Sequence, residues 1–514
     1  MGRDVKNIAK VSAATIGSRV MGLVRDAATM AYMSIGAVSA AYTFAFTLPN
    51  LFRRLLGEGA LTAAIVPIFS QTLRREGENG AFAFLNKLLT RALILFSAIA
   101  VLGMAAAFIS SLALGSAEAS QRFVLGAQYS VVMMPYMTLI CLAAVFTAAL
   151  NVMDSFGVPS ATPALLNVAI IGALFLGTAV FGTANIEAIG YCMCGGWLFG
   201  GAIQLALPAY WLRRKGWRFS FDLGKTPALG ELYALFVPAV MGAAVIQLNI
   251  FVSKTIALFL SDSALPSLYL SSRILEFPLG VFTLSVATVY FPKLSKLNSP
   301  ENVIEYKREY ANGLIMTMCI AIPAALGIMA TSRDILTLLF EWGLFKSNDV
   351  MLCLPVLIAS VAGLPFFALA TFSTRGFHSI KDTRTPVKIS YWSFAANIAF
   401  SLALMKPFGA AGLAAANVLA AMLQAYMLNG KIGKLFGSFG IAAEVLKVII
   451  ASAAMAVAVG WGRFALSQFL EGKILALAVC AALIPAGAAF YFGVLKLLKF
   501  KKLENLKKII LRKK

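Results

Sequence analysis

Long apolar runs recur from one end of this chain to the other, and they constrain its fold more than any other feature. Runs of at least roughly 18 apolar residues between polar breaks predict about fourteen membrane-spanning helices. Composition agrees, because 60% of the residues are hydrophobic and only 13% are charged, against about 25% charged residues in soluble domains. Outer-membrane barrels show alternating segments of about ten residues instead. The predicted class is therefore an all-α polytopic membrane protein, and a cytosolic enzyme, a disordered chain and a disulfide scaffold are excluded.

The predicted spans follow one another without a large soluble domain between them. Their approximate extents are 11–34, 39–72, 82–113, 124–152, 161–183, 187–212, 230–260, 265–292, 309–331, 350–374, 386–405, 409–430, 441–465 and 474–498. The segment 331–349 is predicted to be a short interfacial helix outside the membrane.

Lysine and arginine are distributed unevenly between alternate loops. With a cytoplasmic N-terminus, thirty of the 44 basic residues fall in inner segments and six in outer loops. The positive-inside rule then predicts that both termini are cytoplasmic and that the number of spans is even. The net charge of +22 is thereby explained as a topology signal and a contact with anionic membrane lipids, and nucleic acid is not an expected partner.

The two halves of the chain resemble each other at an offset of about 225 residues. VPIFS at 66–70 matches FPKLS at 291–295, and the dipeptide TP recurs at 162–163 and 385–386. These matches fall at equivalent places in spans 2 and 8 and in spans 5 and 11, which predicts two six-helix lobes in parallel repeat followed by two extra helices. The predicted divisions are lobes at 1–213 and 230–436, spans 13 and 14 at 440–498, and a basic cytoplasmic tail at 499–514. The tail fits a basic amphipathic helix on the inner leaflet or a solvated topogenic segment.

Six basic residues lie inside predicted spans, where a charge at mid-bilayer costs on the order of 2.5–3.5 kcal/mol on insertion scales. They share the membrane with three acids. The bases are Arg19, Arg25, Arg53, Arg54, Lys254 and Arg273, and the acids are Asp26, Glu58 and Glu276. The excess of bases predicts an anion site, because the planar guanidinium donates paired hydrogen bonds to phosphate and stays charged when desolvated.

Two of these bases have an acid within reach on their own helix. Arg54 and Glu58 are four residues apart, and Arg273 and Glu276 are three apart, so either pair could close locally. Lys254 lines the cavity or snorkels toward the membrane surface, and the sequence leaves both alternatives open.

Span 1 offers a different pairing. Arg19 and Asp26 are seven residues apart and share a face, whereas Arg25 lies about 100° from Asp26 on an ideal helix. On an ideal helix Arg25 therefore does not share the stripe of Arg19 and Asp26, although Gly17 and Gly22 would let span 1 bend or widen the exposed arc.

No enzyme, metal site or cofactor is predicted. The six cysteines lie in apolar stretches, and the one histidine, His378, has no set of partners at ligand spacing. Gly224-Lys225-Thr226 imitates the end of a phosphate-binding loop, but Phe219 occupies the position that requires glycine.

Four stretches carry a resemblance to a known family. They are SRVMGLVRD (18–26), LPNLFRRLLGEGALTAAIVPIF (48–69), RILEFPLGV (273–281) and TRTPVKI (383–389). Together they resemble the MurJ (MviN) lipid II flippases, along the whole chain. The resemblance implies the multidrug/oligosaccharidyl-lipid/polysaccharide exporter fold, with two lobes around a central cavity and spans 13 and 14 forming a groove for the lipid tail. It also implies a bacterial inner-membrane location.

The resemblance assigns roles to several charged residues. The implied substrate-binding residues are Ser18, Arg19, Arg25, Asp26, Arg53, Arg273 and Glu276, with Arg54, Glu58 and Lys254 in supporting roles. The family commonly carries aspartates where this chain has Ala40 and Ser272, and both replacements make the cavity more positive. No sodium site is predicted, because the interiors of spans 7, 11 and 12 carry Asn249 and Asn397 but no carboxylate.

The implied function is movement of lipid II, an undecaprenyl-diphosphate-linked disaccharide-pentapeptide, to the outer leaflet by a monomer using alternating access. A flippase for another undecaprenyl-linked oligosaccharide is the main alternative. A cation-coupled drug exporter is disfavoured by the basic cavity, and a membrane scaffold is disfavoured by charges inside broken helices.

Overall fold

The computed structural model describes residues 2–55, 61–116, 119–155, 157–280, 284–500 and 502. Over these residues the chain is almost entirely helical and contains no strand. The helices are α1 (Gly2–Met33), α2 (Ala37–Phe52), α3 (Thr62–Ser116), α4 (Gln121–Val152), α5 (Gly157–Phe181), α6 (Ile186–Arg214), α7 (Pro227–Leu260), α8 (Ala264–Pro278), α9 (Leu284–Lys296), α10 (Val303–Phe340), α11 (Ser347–Ala362), α12 (Leu364–Ser379), α13 (Arg384–Phe436), α14 (Ala442–Leu466), α15 (Gly472–Ala478) and α16 (Ile484–Leu497).

Within the described residues, ten helical stretches are long and apolar enough to cross a membrane. This confirms the predicted all-α polytopic class, and the count of fourteen spans stays a prediction. Two helices each cover more than one predicted span, because they bend at a glycine in the left-handed backbone region: Gly77 (φ 69°) in α3 and Gly409 (φ 57°) in α13.

The prediction of a separate short helix at 331–349 was wrong. Helix α10 continues to Phe340, and Asp334 is only 3% exposed. The polar run continues the helix because its polar groups are satisfied there. Thr331 and Ser332 donate to carbonyls four residues earlier, and Arg463 of α14 binds Asp334 at 2.5 Å.

The described chain divides into two compact units, the first comprising Met1–Leu265 with Trp342–Leu344 and the second comprising Pro266–Glu341 with Phe345–Lys514. In the first unit, α4 packs against α2, α3 and α6, α1 packs on α5, and α7 packs on α2 and α3. In the second unit, α10 packs against α11, α12 and α14, and α13 packs on α11 and α12. The lobe limits drawn from the sequence repeat stay a prediction.

Candidate functional site

The first charged cluster lies in the first unit, near the C-terminal half of α1. Arg25 and Asp26 are 7% and 3% exposed, and they bind each other: Nη2 and Nε of Arg25 lie 2.7 and 3.1 Å from one Asp26 oxygen. The placement of Arg25 off the stripe of Arg19 and Asp26 did not reveal this pair. A helical wheel places Cβ atoms, whereas the arginine side chain is long enough to return to the next residue.

An aromatic ring supports Arg25 from α6. The guanidinium carbon lies 5.5 Å from the centre of the Trp197 ring, within the range of a cation–π interaction. Trp197 is fixed in turn, because its indole N–H donates to the Tyr42 hydroxyl at 2.8 Å and its ring stacks on Phe46 at 5.6 Å. Trp197 was not predicted, since a tryptophan in an apolar span is ordinary.

Lys254 of α7 packs on Phe46 of α2, the ring that stacks on Trp197. Its ammonium lies 5.3 Å from the centre of the Phe46 ring and donates to the Thr47 hydroxyl at 3.2 Å. Both alternatives for Lys254, lining the cavity or snorkelling toward the membrane surface, stay predictions. The rings of Phe46 and Trp197 thus have a cation packed on each, Lys254 and Arg25.

Two of the predicted arginines lie at the end of α2. Arg53 follows the last residue of α2, is half-buried, and donates through Nε to the Asn50 side chain at 2.9 Å. This neutral partner lies three residues earlier and was missed when only carboxylates were considered. Arg54 is also half-buried, and the predicted Arg54–Glu58 pair lies outside the described residues because Glu58 does.

Ser18 and Arg19 lie one to two turns before Arg25 on α1. Ser18 is half-buried, and its carbonyl accepts a hydrogen bond from Asn167 of α5 at 3.3 Å. Arg19 is exposed. Since α1 packs on α5 here, this contact holds the helix that carries both arginines.

The remaining predicted residues belong to the second unit and lie on α8. Arg273 binds Glu276 at 2.9 Å, which confirms the predicted local pair, and it also donates to the Tyr269 hydroxyl at 2.8 Å. The guanidinium carbon lies 4.8 Å from the Tyr269 ring. Tyr269 was not predicted, although its position four residues before Arg273 on a helix is a usable signal.

The two positions that depart from the family pattern have ordinary environments. Ala40 is fully buried in α2, and the Ser272 hydroxyl donates to the Tyr269 carbonyl of its own helix at 2.7 Å. Across the described part of the chain, no three His, Cys, Asp or Glu side chains are grouped so as to hold a metal ion.

In each unit an arginine is oriented by one acid and one aromatic ring: Arg25 by Asp26 and Trp197, Arg273 by Glu276 and Tyr269. A guanidinium presents its N–H donors in one plane, a geometry that suits a phosphate oxygen. Low local polarity strengthens such a contact. Together the fold and these arginines define a polytopic helical membrane protein with oriented arginines in both of its units.

Comparison with known proteins narrows this class. A solved inward-facing MATE multidrug transporter of the MOP superfamily superposes with a TM-score of 0.66 at 16% identity, over 82% of this chain and 95% of that one, which shows the fold. A solved lipid II flippase MurJ in an inward closed conformation superposes with a TM-score of 0.78 at 25% identity, over 95% and 99% of the two chains. A probable lipid II flippase MurJ of Rhizobium meliloti (strain 1021) is 32% identical over 95% of this chain and 93% of its own.

The family model for lipid II flippase MurJ matches residues 30–480. The chain belongs to the MurJ family of lipid II flippases, and it is an integral membrane protein.

Proposed function

We propose that this protein moves lipid II from the inner to the outer leaflet of the bacterial cytoplasmic membrane by alternating access, supplying peptidoglycan synthesis. Membership of the MurJ family supports the proposal. The observation that carries it is the buried Arg25 guanidinium, which lies in the family motif SRVMGLVRD. Asp26 of that motif and Trp197 of α6 hold this guanidinium.

The diphosphate of the substrate is the part that these side chains suit. The Arg25–Asp26 pair is neutral as a whole, so a diphosphate needs further cations. Arg53 and Lys254 each donate to a neutral oxygen, of Asn50 and Thr47 respectively. Both side chains are cations, and a hydrogen bond to a neutral acceptor also orients them.

We propose substrate-binding residues in each unit, taken separately. In the first unit they comprise Ser18, Arg19, Arg25, Asp26 and Arg53, with Arg54, Glu58 and Lys254 in support. In the second unit they comprise Arg273 and Glu276, and we propose the groove for the isoprenoid tail on the helices α14 to α16. We further propose that the protein acts as a monomer among membrane lipids with both termini in the cytoplasm.

Replacement of Arg25 or Arg53 by alanine tests the proposal. Each variant should fail to rescue a bacterium depleted of its own lipid II flippase, while the protein still reaches the membrane. Lysine at either position should rescue only in part, because it keeps the charge but loses the planar fork. Purified variants should bind lipid II at least tenfold more weakly than the parent, since a hydrogen bond to a charged group contributes about 1.5–3 kcal/mol.

The matched control is Arg75→Ala, which removes an exposed arginine of the same unit and should leave rescue and binding unchanged. Unimpaired rescue by both Arg25→Ala and Arg53→Ala would exclude the anion site. Equal binding of lipid II and of another undecaprenyl-linked oligosaccharide would favour the alternative substrate class.

A further inference from the structure

The connection between α6 and α7, residues 215–225, is an extended segment without helical structure, here named the strap. Because it joins two helices long enough to cross a membrane, it lies at a membrane surface. Its sequence KGWRFSFDLGK combines large apolar and basic residues, and the proposed transport site uses none of them.

The strap is bound tightly to α3 at its first half. Trp217 is 6% exposed, and its indole N–H donates to the Asn86 side-chain oxygen at 2.9 Å. The amide nitrogen of Asn86 donates to the Arg218 carbonyl, also at 2.9 Å. Trp217 also packs edge-on against Phe146 in the core of the first unit.

Arg91 of α3 binds the second half of the strap. One of its terminal nitrogens donates to the carbonyls of Leu223 and Gly224, at 2.6 and 3.0 Å. Between these anchors, the Asp222 amide donates to the Thr90 hydroxyl at 3.1 Å. The strap therefore has a fixed course, and what it exposes is set by the fold.

Three large apolar side chains of this fixed segment are exposed. Phe219, Phe221 and Leu223 are 53%, 60% and 53% exposed. Since the backbone is held at both ends, these side chains cannot turn into the core in place of Trp217. Exposure of three large apolar side chains to water is unfavourable, whereas the headgroup region of a bilayer accepts them.

Cationic side chains flank these apolar ones along the sequence. Arg213, Arg214, Arg218 and Lys225 are all exposed, and the Arg214 guanidinium rests on Tyr210 at 5.0 Å. The one acid of the strap, Asp222, faces Lys87 at 4.0 Å and accepts from the Gly224 amide. The exposed surface of the strap is thus both apolar and positively charged.

We infer that the strap and the end of α6 bind anionic phospholipid, with Phe219 and Phe221 among the upper acyl chains and Arg213, Arg214, Arg218 and Lys225 at the headgroups. Charge complementarity selects an anionic lipid over a zwitterionic one, and the apolar side chains select a bilayer over a soluble anion. This contact is independent of the proposed transport and applies whichever substrate is moved.

Site-directed fluorescence quenching tests the inference on the full chain. Ser220, exposed between the two phenylalanines, is replaced by cysteine in a background in which the six native cysteines are alanine, and is labelled with bimane. The protein is then reconstituted in nanodiscs that contain phosphatidylglycerol or phosphatidylcholine with a nitroxide near the headgroup. We expect phosphatidylglycerol to quench at least fivefold more strongly at equal content, the preference expected from a single basic side chain at a charged surface.

Charge variants decide whether the strap causes the preference. Glutamine at Arg213, Arg214, Arg218 and Lys225 should make the two lipids quench equally. Glutamine at Arg375, Lys381, Arg384 and Lys388, which removes the same charge from the α12–α13 region, should keep the preference for phosphatidylglycerol. If the variant with all four glutamines does not fold, the pairs Arg213/Arg214 and Arg218/Lys225 are neutralised separately. Each of these double variants should show a smaller preference for phosphatidylglycerol.

Three outcomes would overturn the inference. Equal quenching of the parent by both lipids would show that the strap does not select anionic lipid. An unchanged preference after neutralisation of the strap, or an equal loss in the control variant, would assign the preference to the overall charge of the protein. Quenching by aqueous iodide but by neither lipid would place the strap in water.

Discussion

At the scale of single residues, Arg25 is held by contacts of different physical kinds. Asp26 fixes its nitrogens by charge and hydrogen bonding, and Trp197 fixes the plane of the guanidinium by stacking. The Trp197 ring is itself held by Tyr42 and Phe46. A cation constrained in this way loses little side-chain entropy when it binds a phosphate oxygen.

Trp197→Leu should weaken lipid II binding by about twofold to thirtyfold, the range given by a cation–π contact of about 0.5–2 kcal/mol. Trp197→Phe keeps a ring beneath Arg25 but loses the N–H that binds Tyr42, so a smaller effect is expected. Titration of the purified variants with lipid II in nanodiscs measures both. Equal affinity of parent and Trp197→Leu would show that the ring does not position Arg25.

The charged residues of the site could be predicted because charges are costly in a membrane, whereas their neutral supports could not. Arg25, Arg53 and Lys254 stand out in apolar spans, and their oxygen or ring partners do not. Asn50, Thr47 and Trp197 are common residue types in membrane helices, and only tertiary packing brings the last two to their cations. The Arg25–Asp26 pair was not foreseen for a different reason, because the spacing rule describes backbone direction and not side-chain reach.

At the scale of elements, polar sequence was an unreliable sign of a helix end. The run TSRD at 331–334 predicted the end of a span, yet α10 passes through it. The buried Asp334 is tolerated because Arg463 of α14 binds it at 2.5 Å. That partner lies far along the chain, so no local pattern could reveal it.

Arg463→Ala should destabilise the second unit by roughly 3–5 kcal/mol, because it leaves the Asp334 carboxylate buried without its cation. The double variant Arg463→Met, Asp334→Leu should be closer to the parent, since no charge is left buried. Thermal unfolding of the purified proteins in detergent compares the three. A double variant less stable than Arg463→Ala would mean that the pair stabilises beyond satisfying the carboxylate.

The segment Trp342–Leu344 illustrates a second element-scale constraint, within the first unit. The Leu344 amide donates to the Ala31 carbonyl at the end of α1 at 2.7 Å, and Gly343 has a φ of 57°. A Cβ at Gly343 would overlap the Ala31 carbonyl. The close approach therefore requires glycine for space as well as for its backbone angle.

Gly343→Ala should break the Leu344–Ala31 hydrogen bond and increase amide exchange at Leu344 by at least tenfold. Its matched control is Gly472→Ala, where φ is 53° but no atom lies within 4 Å of the added carbon. The control carries only the left-handed backbone strain of about 1–2 kcal/mol and should change exchange near residue 472 alone. Hydrogen exchange with mass spectrometry measures both, and unchanged exchange at Leu344 would show that the segment adapts to the added carbon.

At the scale of the whole molecule, the sequence predicted the class of fold from hydropathy alone, because a helical membrane protein repeats one simple unit. The packing of the helices on one another could be predicted less well from the sequence. Helix α7 packs on α2 and α3 in the first unit, where Lys254 binds Thr47. The limit of the second lobe at residue 230 stays a prediction. A sequence offset detects ancestry of the repeats, whereas the contacts depend on side chains such as Lys254 that the repeat does not share.

The predicted orientation of the chain in the membrane rests on the distribution of its basic residues, and two exposed serines test it. Ser347 begins α11 in a predicted outer loop, and Ser438 lies between α13 and α14 in a predicted inner one. In cells producing single-cysteine variants, an impermeant maleimide should label Ser347→Cys in intact cells and Ser438→Cys only after permeabilisation. The reason is the thirty-to-six excess of basic residues on the predicted inner side, which resists translocation. The reverse labelling would place both termini outside, and the proposed direction of lipid II movement relative to the chain would then be inverted.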